Sequence, residues 1–167
     1  MARNVEIKAR VHDPERLRQR AEALSDTPPE VLHQEDTFFP TPQGRFKLRV
    51  LGPDLGQLVY YERQDVQGPK VSNYLVAMTD DPATLKTVLS AALGVRGVVR
   101  KRRTLCMVGR TRIHLDEVEG LGAFMELEVV LEPNQTPQEG EAEAHRLMAE
   151  LGVEQADLIE GAYIDLM

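Results

Sequence analysis

The sequence is poor in the residues that form disulfides or bind zinc. A single cysteine, Cys106, stands among 167 residues, which excludes an internal disulfide and a cysteine-based zinc cluster. We expect Cys106 to be a small, buried strand residue. The N-terminus lacks the apolar run of a signal peptide, and no segment approaches the roughly 20 apolar residues of a membrane span. These absences predict a soluble, cytoplasmic protein that does not associate with membranes.

The chain also lacks an excess of positive charge and a glycine-rich phosphate loop. It carries 20 Lys and Arg against 27 Asp and Glu, a net charge of -7, so nucleic acid is not an expected partner. The absence of a Walker-type loop argues against the common nucleotide-binding folds. The hydrophobic content of 42% and the length predict a single domain over residues 1–167 with a substantial core.

Alternation of apolar and charged residues dominates what is present. This period of two predicts strands, whereas an Asp or Thr cap followed by Pro precedes three amphipathic stretches and predicts helices. The predicted strands are 4–11, 34–39, 45–51, 57–63, 71–78, 98–108, 111–118 and the one carrying Glu126 and Glu128; the predicted helices are 14–24, 82–93 and 137–151. Residues 25–33 are predicted to form a loop and residues 163–167 a short tail.

The stretch Gly120–Leu131 shows the alternation most strictly. Its apolar residues, beginning with Met125, point to one side and must be buried. Glu126 and Glu128 point to the other side, where their carboxylates are neighbours. Two such carboxylates repel each other unless a cation or basic side chains lie between them.

The other predicted strands supply basic side chains on comparable faces. The charged faces carry Glu6, Lys8 and Arg10; Lys47 and Arg49; Lys101 and Arg103; Arg112 and Asp116. The apolar faces would pack against the amphipathic helices. We therefore expect an α+β fold, a closed antiparallel β-barrel with charges inside and helices outside. Interleaved basic groups and carboxylates fit a polyphosphate bound together with Mg²⁺ or Mn²⁺.

Six short motifs, in this order, resemble those of a known family. They are Val5-Glu-Ile-Lys8, Asp36-Thr-Phe-Phe39, Lys47-Leu-Arg49, Lys101-Arg-Arg103, Ile113-His-Leu-Asp116 and Gly120-Leu-Gly-Ala-Phe-Met-Glu-Leu-Glu128. The chain resembles the CYTH group, the triphosphate tunnel metalloenzymes, over nearly its whole length. It is most similar to the class IV adenylyl cyclase-like branch, which is related to thiamine triphosphatases and inorganic tripolyphosphatases. The resemblance implies an eight-stranded tunnel, a triphosphate substrate such as ATP or tripolyphosphate, and a divalent metal. It also allows a homodimer.

The resemblance assigns a role to each matching position. The implied metal-side carboxylates are Glu6, Asp116, Glu126 and Glu128. The implied triphosphate-binding groups are Lys8, Lys47, Arg49, Arg63, Lys101, Arg103 and Arg112. Of these, Lys8, Arg49 and Arg103 are the implied catalytic residues. His114 shares a face with Arg112 and Asp116, and we interpret it as a structural, hydrogen-bonding histidine.

Three departures from the family pattern leave the activity open. Asn4 stands where the family has its first signature glutamate, the lysine of the third motif strand is replaced by Glu62 or Arg63, and Ser72 replaces a glutamate. One hypothesis is a cyclase that converts ATP to cyclic AMP and pyrophosphate. A second is a triphosphatase acting on inorganic tripolyphosphate, thiamine triphosphate or a nucleoside triphosphate. A third is a non-catalytic module that binds nucleotide or polyphosphate.

Overall fold

The structure, a computed structural model, describes residues 2–167. Its strands are β1 (Ala2–Arg10), β2 (Glu30–Phe39), β3 (Arg45–Gly52), β4 (Leu55–Arg63), β5 (Lys70–Thr79), β6 (Gly97–Val108), β7 (Thr111–Val118), β8 (Gly122–Val130) and β9 (Leu158–Ile159). Its helices are α1 (Pro14–Leu24), α2 (Pro82–Leu93) and α3 (Pro137–Leu151). Two short 3₁₀ turns, Gln155–Asp157 and Tyr163–Leu166, lie near the C-terminus.

Eight strands close into an antiparallel barrel. Their order is β5-β4-β3-β2-β6-β7-β8-β1, and β1 pairs with both β8 and β5. The two-residue strand β9 adds a short pairing to β1. Closure leaves none of the eight barrel strands with an unpaired edge over its whole length. The predicted α+β fold, a closed eight-stranded barrel with helices outside, is confirmed.

The predicted loop over residues 25–33 is wrong in its second half. Glu30–His33 belong to β2, where they pair with Leu105–Arg102 of β6. The loop ends at Pro28-Pro29, and β6 is long enough to pair with residues 30–38 that follow. Strand pairing therefore extends β2 beyond the short alternating stretch that was recognisable in the sequence.

The helices begin where the sequence predicts. The Asp13 carboxylate accepts a hydrogen bond from the Arg16 amide at 3.1 Å and so caps α1. At the start of α3, Thr136 and Glu139 cap each other's backbone amides at 3.2 and 3.0 Å, and Gly152 ends the helix in the left-handed conformation. These caps satisfy amides that would otherwise lack partners at the helix ends.

The main core lies between the outer face of the barrel and helices α1 and α3. Met125 and Leu127 of β8 are fully buried there, as the alternation in this strand predicts. Leu17 of α1 and Leu147 of α3 pack against the same cluster. Cys106 is a buried free thiol in this core, which confirms its predicted place. The apolar faces therefore point outward to the helices, and the charged faces point into the barrel.

The C-terminal segment covers one end of the barrel. Because all neighbouring strands are antiparallel, the last residues of β2 lie at the same end as the first residues of β6 and β8. Phe38, Val99 and Phe124 from these strands form a second apolar cluster with Ala162 and Ile164. Within residues 2–167, no helix is long and apolar enough to cross a membrane.

The contact between α3 and β1 generates a stability prediction at Gly140. A Cβ at this position would lie 2.6 Å from Val5 Cγ2 and 2.8 Å from Leu131 Cδ2. Alanine normally stabilises a helix interior by about 1 kcal/mol relative to glycine. We expect Gly140→Ala instead to lower the free energy of unfolding by about 1–3 kcal/mol, because the core is overpacked.

Urea denaturation of Gly140→Ala measures this effect directly. The control is His145→Ala at an exposed position of the same helix, which should change the unfolding free energy by less than about 0.5 kcal/mol. A Gly140→Ala protein more stable than wild type would show that α3 is not packed as closely on β1 as the structure has it.

Candidate active site in the barrel lumen

The barrel encloses a cavity of about 490 Å³ lined by charges of both signs. The basic side chains that line it are Lys8, Lys47, Arg49, Arg63, Lys101, Arg103 and Arg112. The acidic ones are Glu6, Glu30, Asp36, Glu126 and Glu128. All seven predicted triphosphate-binding residues and three of the four predicted metal-side carboxylates therefore meet in one cavity, although they come from six strands.

The structure resolves the register of β4. Arg63 points into the lumen, where it donates a hydrogen bond to Glu6 at 2.5 Å. Glu62 is exposed on the outside and accepts a hydrogen bond from the Tyr60 hydroxyl. Arg63 is thus the residue of this strand that is available to a ligand. On β6, Arg100 and Arg102 point outward, as their alternation with Lys101 and Arg103 predicts.

One wall of the lumen is built around Asp36. This carboxylate is buried and accepts hydrogen bonds from Arg49 at 2.8 Å on each oxygen, from Lys101 at 3.0 Å and from Lys47 at 3.2 Å. Burial alone would raise the pKa of Asp36, but Arg49, Lys101 and Lys47 outweigh it and hold the pKa well below its usual range. One carboxylate therefore gathers three cations, and this basic wall keeps an excess of positive charge.

The lysines of the basic wall have lowered pKa values. Burial lowers the pKa of Lys101 to about 7, although Asp36 opposes the shift. Burial, and next the neighbouring Arg49, lower the pKa of Lys47 to about 8. Both ammonium groups therefore lose protons near neutral pH when no anion other than Asp36 is present. An additional anion beside them would favour the charged forms and raise both pKa values.

The opposite wall, built from β1 and β8, carries Glu6, Glu126 and Glu128. Lys8 lies 3.5 Å from Glu126, and Arg112 donates to Glu128 at 2.7 and 3.1 Å. Burial raises the pKa of Glu6, and the charges of Glu128 and Glu126 add to that effect against the attraction of Arg63. Each carboxylate of this acidic wall therefore has at least one basic partner: Arg63 for Glu6, Lys8 for Glu126 and Arg112 for Glu128.

Two buried polar atoms at the acidic wall have no hydrogen-bond partner among the described residues. Asn4 donates to Glu128 at 3.3 Å, but its buried Oδ1 has no hydrogen-bond partner within the described part of the chain. The buried Nδ1 of His114 also lacks one among these residues, and it lies 3.4 Å from Glu128 and 3.9 Å from Glu126. One ligand atom each from His114, Glu126 and Glu128 lie within 4.8 Å of one another. Two carboxylate oxygens beside an imidazole nitrogen in this arrangement fit a divalent cation.

Asp116 is placed differently from the other predicted metal-side carboxylates. Its oxygens accept two hydrogen bonds from Arg103, at 2.7 and 2.8 Å, and one from the Tyr163 hydroxyl at 2.7 Å. It does not line the cavity, and it is absent from the cluster of His114, Glu126 and Glu128. Its position suits the orientation of Arg103 better than the ligation of a metal.

Among the lumen residues outside the predicted set, Asp36 and Tyr163 contact predicted site residues directly. Asp36 belongs to a motif that was recognised, but nothing in the sequence showed that three cations from β3 and β6 would converge on it. The alternation of Gln34, Asp36 and Phe38 could have placed it on the inner face. Tyr163 lies in a 3₁₀ turn of the predicted tail, where no periodicity indicates which side chains enter a cavity.

Solved structures with a similar fold come from several organisms. The PH1012 protein of Pyrococcus horikoshii superimposes with a TM-score of 0.85 at 25% identity, over 98% of this chain and 99% of that chain. A candidate adenylate cyclase of Vibrio parahaemolyticus gives a TM-score of 0.77 at 18% identity, over 98% of this chain and 96% of that one.

A third structure adds a different activity. It is a candidate adenylyl cyclase of Hippeastrum described as having a dominant triphosphatase activity, with a TM-score of 0.63 at 17% identity, over 95% of this chain and 91% of that one. No curated protein sequence matches the chain. The family model described as the CYTH domain matches residues 2–163. This match spans nearly the whole chain and agrees with the closed barrel and its charged lumen, so the protein belongs to the CYTH domain family.

Proposed function

We propose that this protein is a metal-dependent enzyme that cleaves a phosphoanhydride bond of a triphosphate bound in its lumen. The observation that carries the proposal is the pair of facing walls. One wall holds three cations around Asp36, and the other holds Glu6, Glu126 and Glu128. A polyphosphate and a divalent cation need these two kinds of surface within a few ångströms of each other.

The basic wall would bind the triphosphate in competition with Asp36. The planar guanidinium of Arg49 donates one hydrogen bond to each oxygen of Asp36. The same pair of N–H donors can bind two oxygens of a phosphate group. Lys47 and Lys101 would add point charges. Arg103, which lies between Asp116 and Glu126, would contact phosphate from the side of the acidic wall. Arg63 and Arg112 would complete the set from β4 and β7.

The acidic wall would hold Mg²⁺ or Mn²⁺ through Glu6, Glu126 and Glu128, with Asn4 Oδ1 as an additional oxygen donor. When bound, such a cation neutralises charge on the phosphate oxygens and polarises the phosphorus. Asp116 would not be a ligand in this arrangement, because Arg103 and Tyr163 already use its oxygens. Its role would be to hold Arg103 in place.

The reaction we place first is that of an adenylyl cyclase. The ribose 3′-hydroxyl of ATP attacks the α-phosphorus, the bond to the β-phosphate breaks, and pyrophosphate leaves. Lys8, Arg49 and Arg103 are our catalytic residues, because they would stabilise the charge that develops on the phosphate oxygens in the transition state. The similarity to the Vibrio candidate cyclase supports this choice.

Hydrolysis of a triphosphate is the second candidate. Water would attack the terminal phosphorus, and the same cations would stabilise the leaving diphosphate. The activity described for the Hippeastrum structure favours this reaction. The loss of negative charge at Asn4 and Ser72 supports a third possibility, a module that binds nucleotide or polyphosphate without turnover.

Product analysis by ³¹P NMR separates these functions. We expect ATP incubated with the protein and Mg²⁺ or Mn²⁺ to give cyclic AMP and pyrophosphate. Orthophosphate with a diphosphate product would establish the hydrolase instead. Unchanged ATP and tripolyphosphate, together with a raised melting temperature in their presence, would contradict both enzymatic assignments and leave the binding module.

Charge-neutral substitutions test the metal site. We expect Glu126→Gln and Glu128→Gln each to weaken Mn²⁺ binding by about tenfold or more, because each removes a charged oxygen ligand. Electron paramagnetic resonance of free Mn²⁺ measures this affinity without turnover. Glu117→Gln, on the exposed outer face of β7, is the matched control and should bind Mn²⁺ as wild type does. Unchanged affinity in both lumen variants would contradict the site.

The lowered pKa values of Lys47 and Lys101 predict proton uptake on triphosphate binding. Without added triphosphate at pH 8, Lys101 is largely neutral and Lys47 about half neutral, since their pKa values are about 7 and about 8. A bound polyanion raises both pKa values, so protons are taken up at pH 8. At pH 6 both lysines are already mostly charged without added triphosphate, so they contribute little uptake.

Calorimetric titration with tripolyphosphate in buffers of different ionisation enthalpy measures the number of protons taken up. The control is Lys101→Met, which should bind more weakly and take up fewer protons at pH 8. Proton release at pH 8 in the wild-type protein would contradict the assignment of these two lysines to the triphosphate.

A further inference from the structure

The C-terminal segment Leu158–Leu166 is tied to the barrel by polar contacts as well as by apolar packing. Asp165 accepts hydrogen bonds from Arg45 and Arg96, both at 2.6 Å. The carbonyl of Gly161 accepts a hydrogen bond from Arg63 at 2.6 Å, while the same guanidinium contacts Glu6. The segment therefore contacts a residue of the lumen as well as the barrel rim.

Tyr163 reaches further into the lumen from this segment, and its side chain makes two kinds of contact there. Its hydroxyl donates to Asp116 Oδ2 at 2.7 Å, and the ammonium of Lys8 lies 3.8 Å from its ring centroid. Burial raises the pKa of Tyr163 well above its usual range, so the hydroxyl keeps its proton and remains a donor. The ring also packs on Phe124, with the centroids 5.2 Å apart.

Both contacts connect Tyr163 to Glu126 through an intervening cation, Arg103 in one case and Lys8 in the other. Asp116 holds Arg103 through two hydrogen bonds, and Arg103 Nη2 lies 3.4 Å from Glu126. Lys8, on the other side, lies 3.5 Å from the same oxygen of Glu126. The phenol ring and its hydroxyl thus support the two cations that flank this carboxylate.

We propose that Tyr163 is a positioning residue, which holds Lys8 and Arg103 in the orientation that binds a triphosphate. This inference rests on the function proposed above. The ring lies beside the Lys8 ammonium, where its electron-rich face attracts the charge, and so limits where the ammonium can move. The hydroxyl, through Asp116, fixes the plane of the Arg103 guanidinium. The orientation of this plane determines whether Arg103 can donate hydrogen bonds to two phosphate oxygens at once.

Covering the end of the barrel does not by itself require this side chain. Ala162 and Ile164 already supply apolar contacts with the cluster around Phe38 and Val99. A phenylalanine at position 163 could keep the ring packing on Phe124. The phenylalanine would lose the hydrogen bond to Asp116, the carboxylate that binds Arg103. The role that best explains the hydroxyl is therefore to orient Arg103 through Asp116.

The test compares Tyr163→Phe with Leu166→Ala by calorimetric titration of tripolyphosphate without added metal. Leu166 packs against the same end cluster and is not among the described residues that line the lumen. We expect Tyr163→Phe to bind tripolyphosphate about tenfold more weakly, and Leu166→Ala to lose thermal stability while keeping wild-type affinity. Tyr163→Phe retains the ring and its packing on Phe124, so we expect this variant to fold.

A double-mutant cycle with Arg103→Lys shows whether the hydroxyl acts through Arg103. The lysine keeps the charge but lacks the fork, so Tyr163→Phe should change affinity by less than about twofold in this background. Equal effects of Tyr163→Phe in both backgrounds, or wild-type affinity of Tyr163→Phe with only a lowered melting temperature, would overturn the proposal. Wild-type protein that binds no tripolyphosphate would instead remove the proposed function, and this inference with it.

Discussion

Compensation of buried charge is the constraint on which the rest of this structure depends. An ionised side chain inside a closed barrel costs several kcal/mol unless oppositely charged groups and hydrogen bonds surround it. Asp36 meets this condition with three cations, and Glu126 meets it with Lys8 and Arg103. The pairing partners come from different strands, so the charge network also links β2 to its neighbours β3 and β6, and β8 to β1 and β6.

The same network explains how an acidic protein can present a site for a polyanion. The net charge of -7 belongs to the whole chain, whereas the lumen is lined by seven Lys and Arg side chains against five Asp and Glu. Asp36, the carboxylate of the basic wall, is outnumbered by the three cations around it, so a ligand with more negative charge can replace its contacts. Low local dielectric strengthens this attraction relative to that at an exposed surface.

The sequence allowed a good prediction of which residues face the lumen, because strand alternation assigns each side chain to a face without knowledge of its partner. It could not show which charges would pair, since Asp36 contacts Lys101 on β6, 65 residues away in the chain, as well as Arg49 on the neighbouring strand β3. The place of Tyr163 was also hidden. A 3₁₀ turn has no amphipathic pattern, and its position is decided by docking on the barrel end.

The exchange of a glutamate for Asn4 is consistent with the same charge compensation. Its amide nitrogen lies 3.3 Å from Glu128 and donates to it, whereas a carboxylate at this place would repel Glu128. The acidic wall already contains Glu6, whose pKa is raised by burial and by neighbouring carboxylates. A fourth negative charge would increase that repulsion whenever no cation is bound. The amide therefore favours a barrel that is stable without metal, and its unpartnered Oδ1 still leaves one neutral oxygen for a cation.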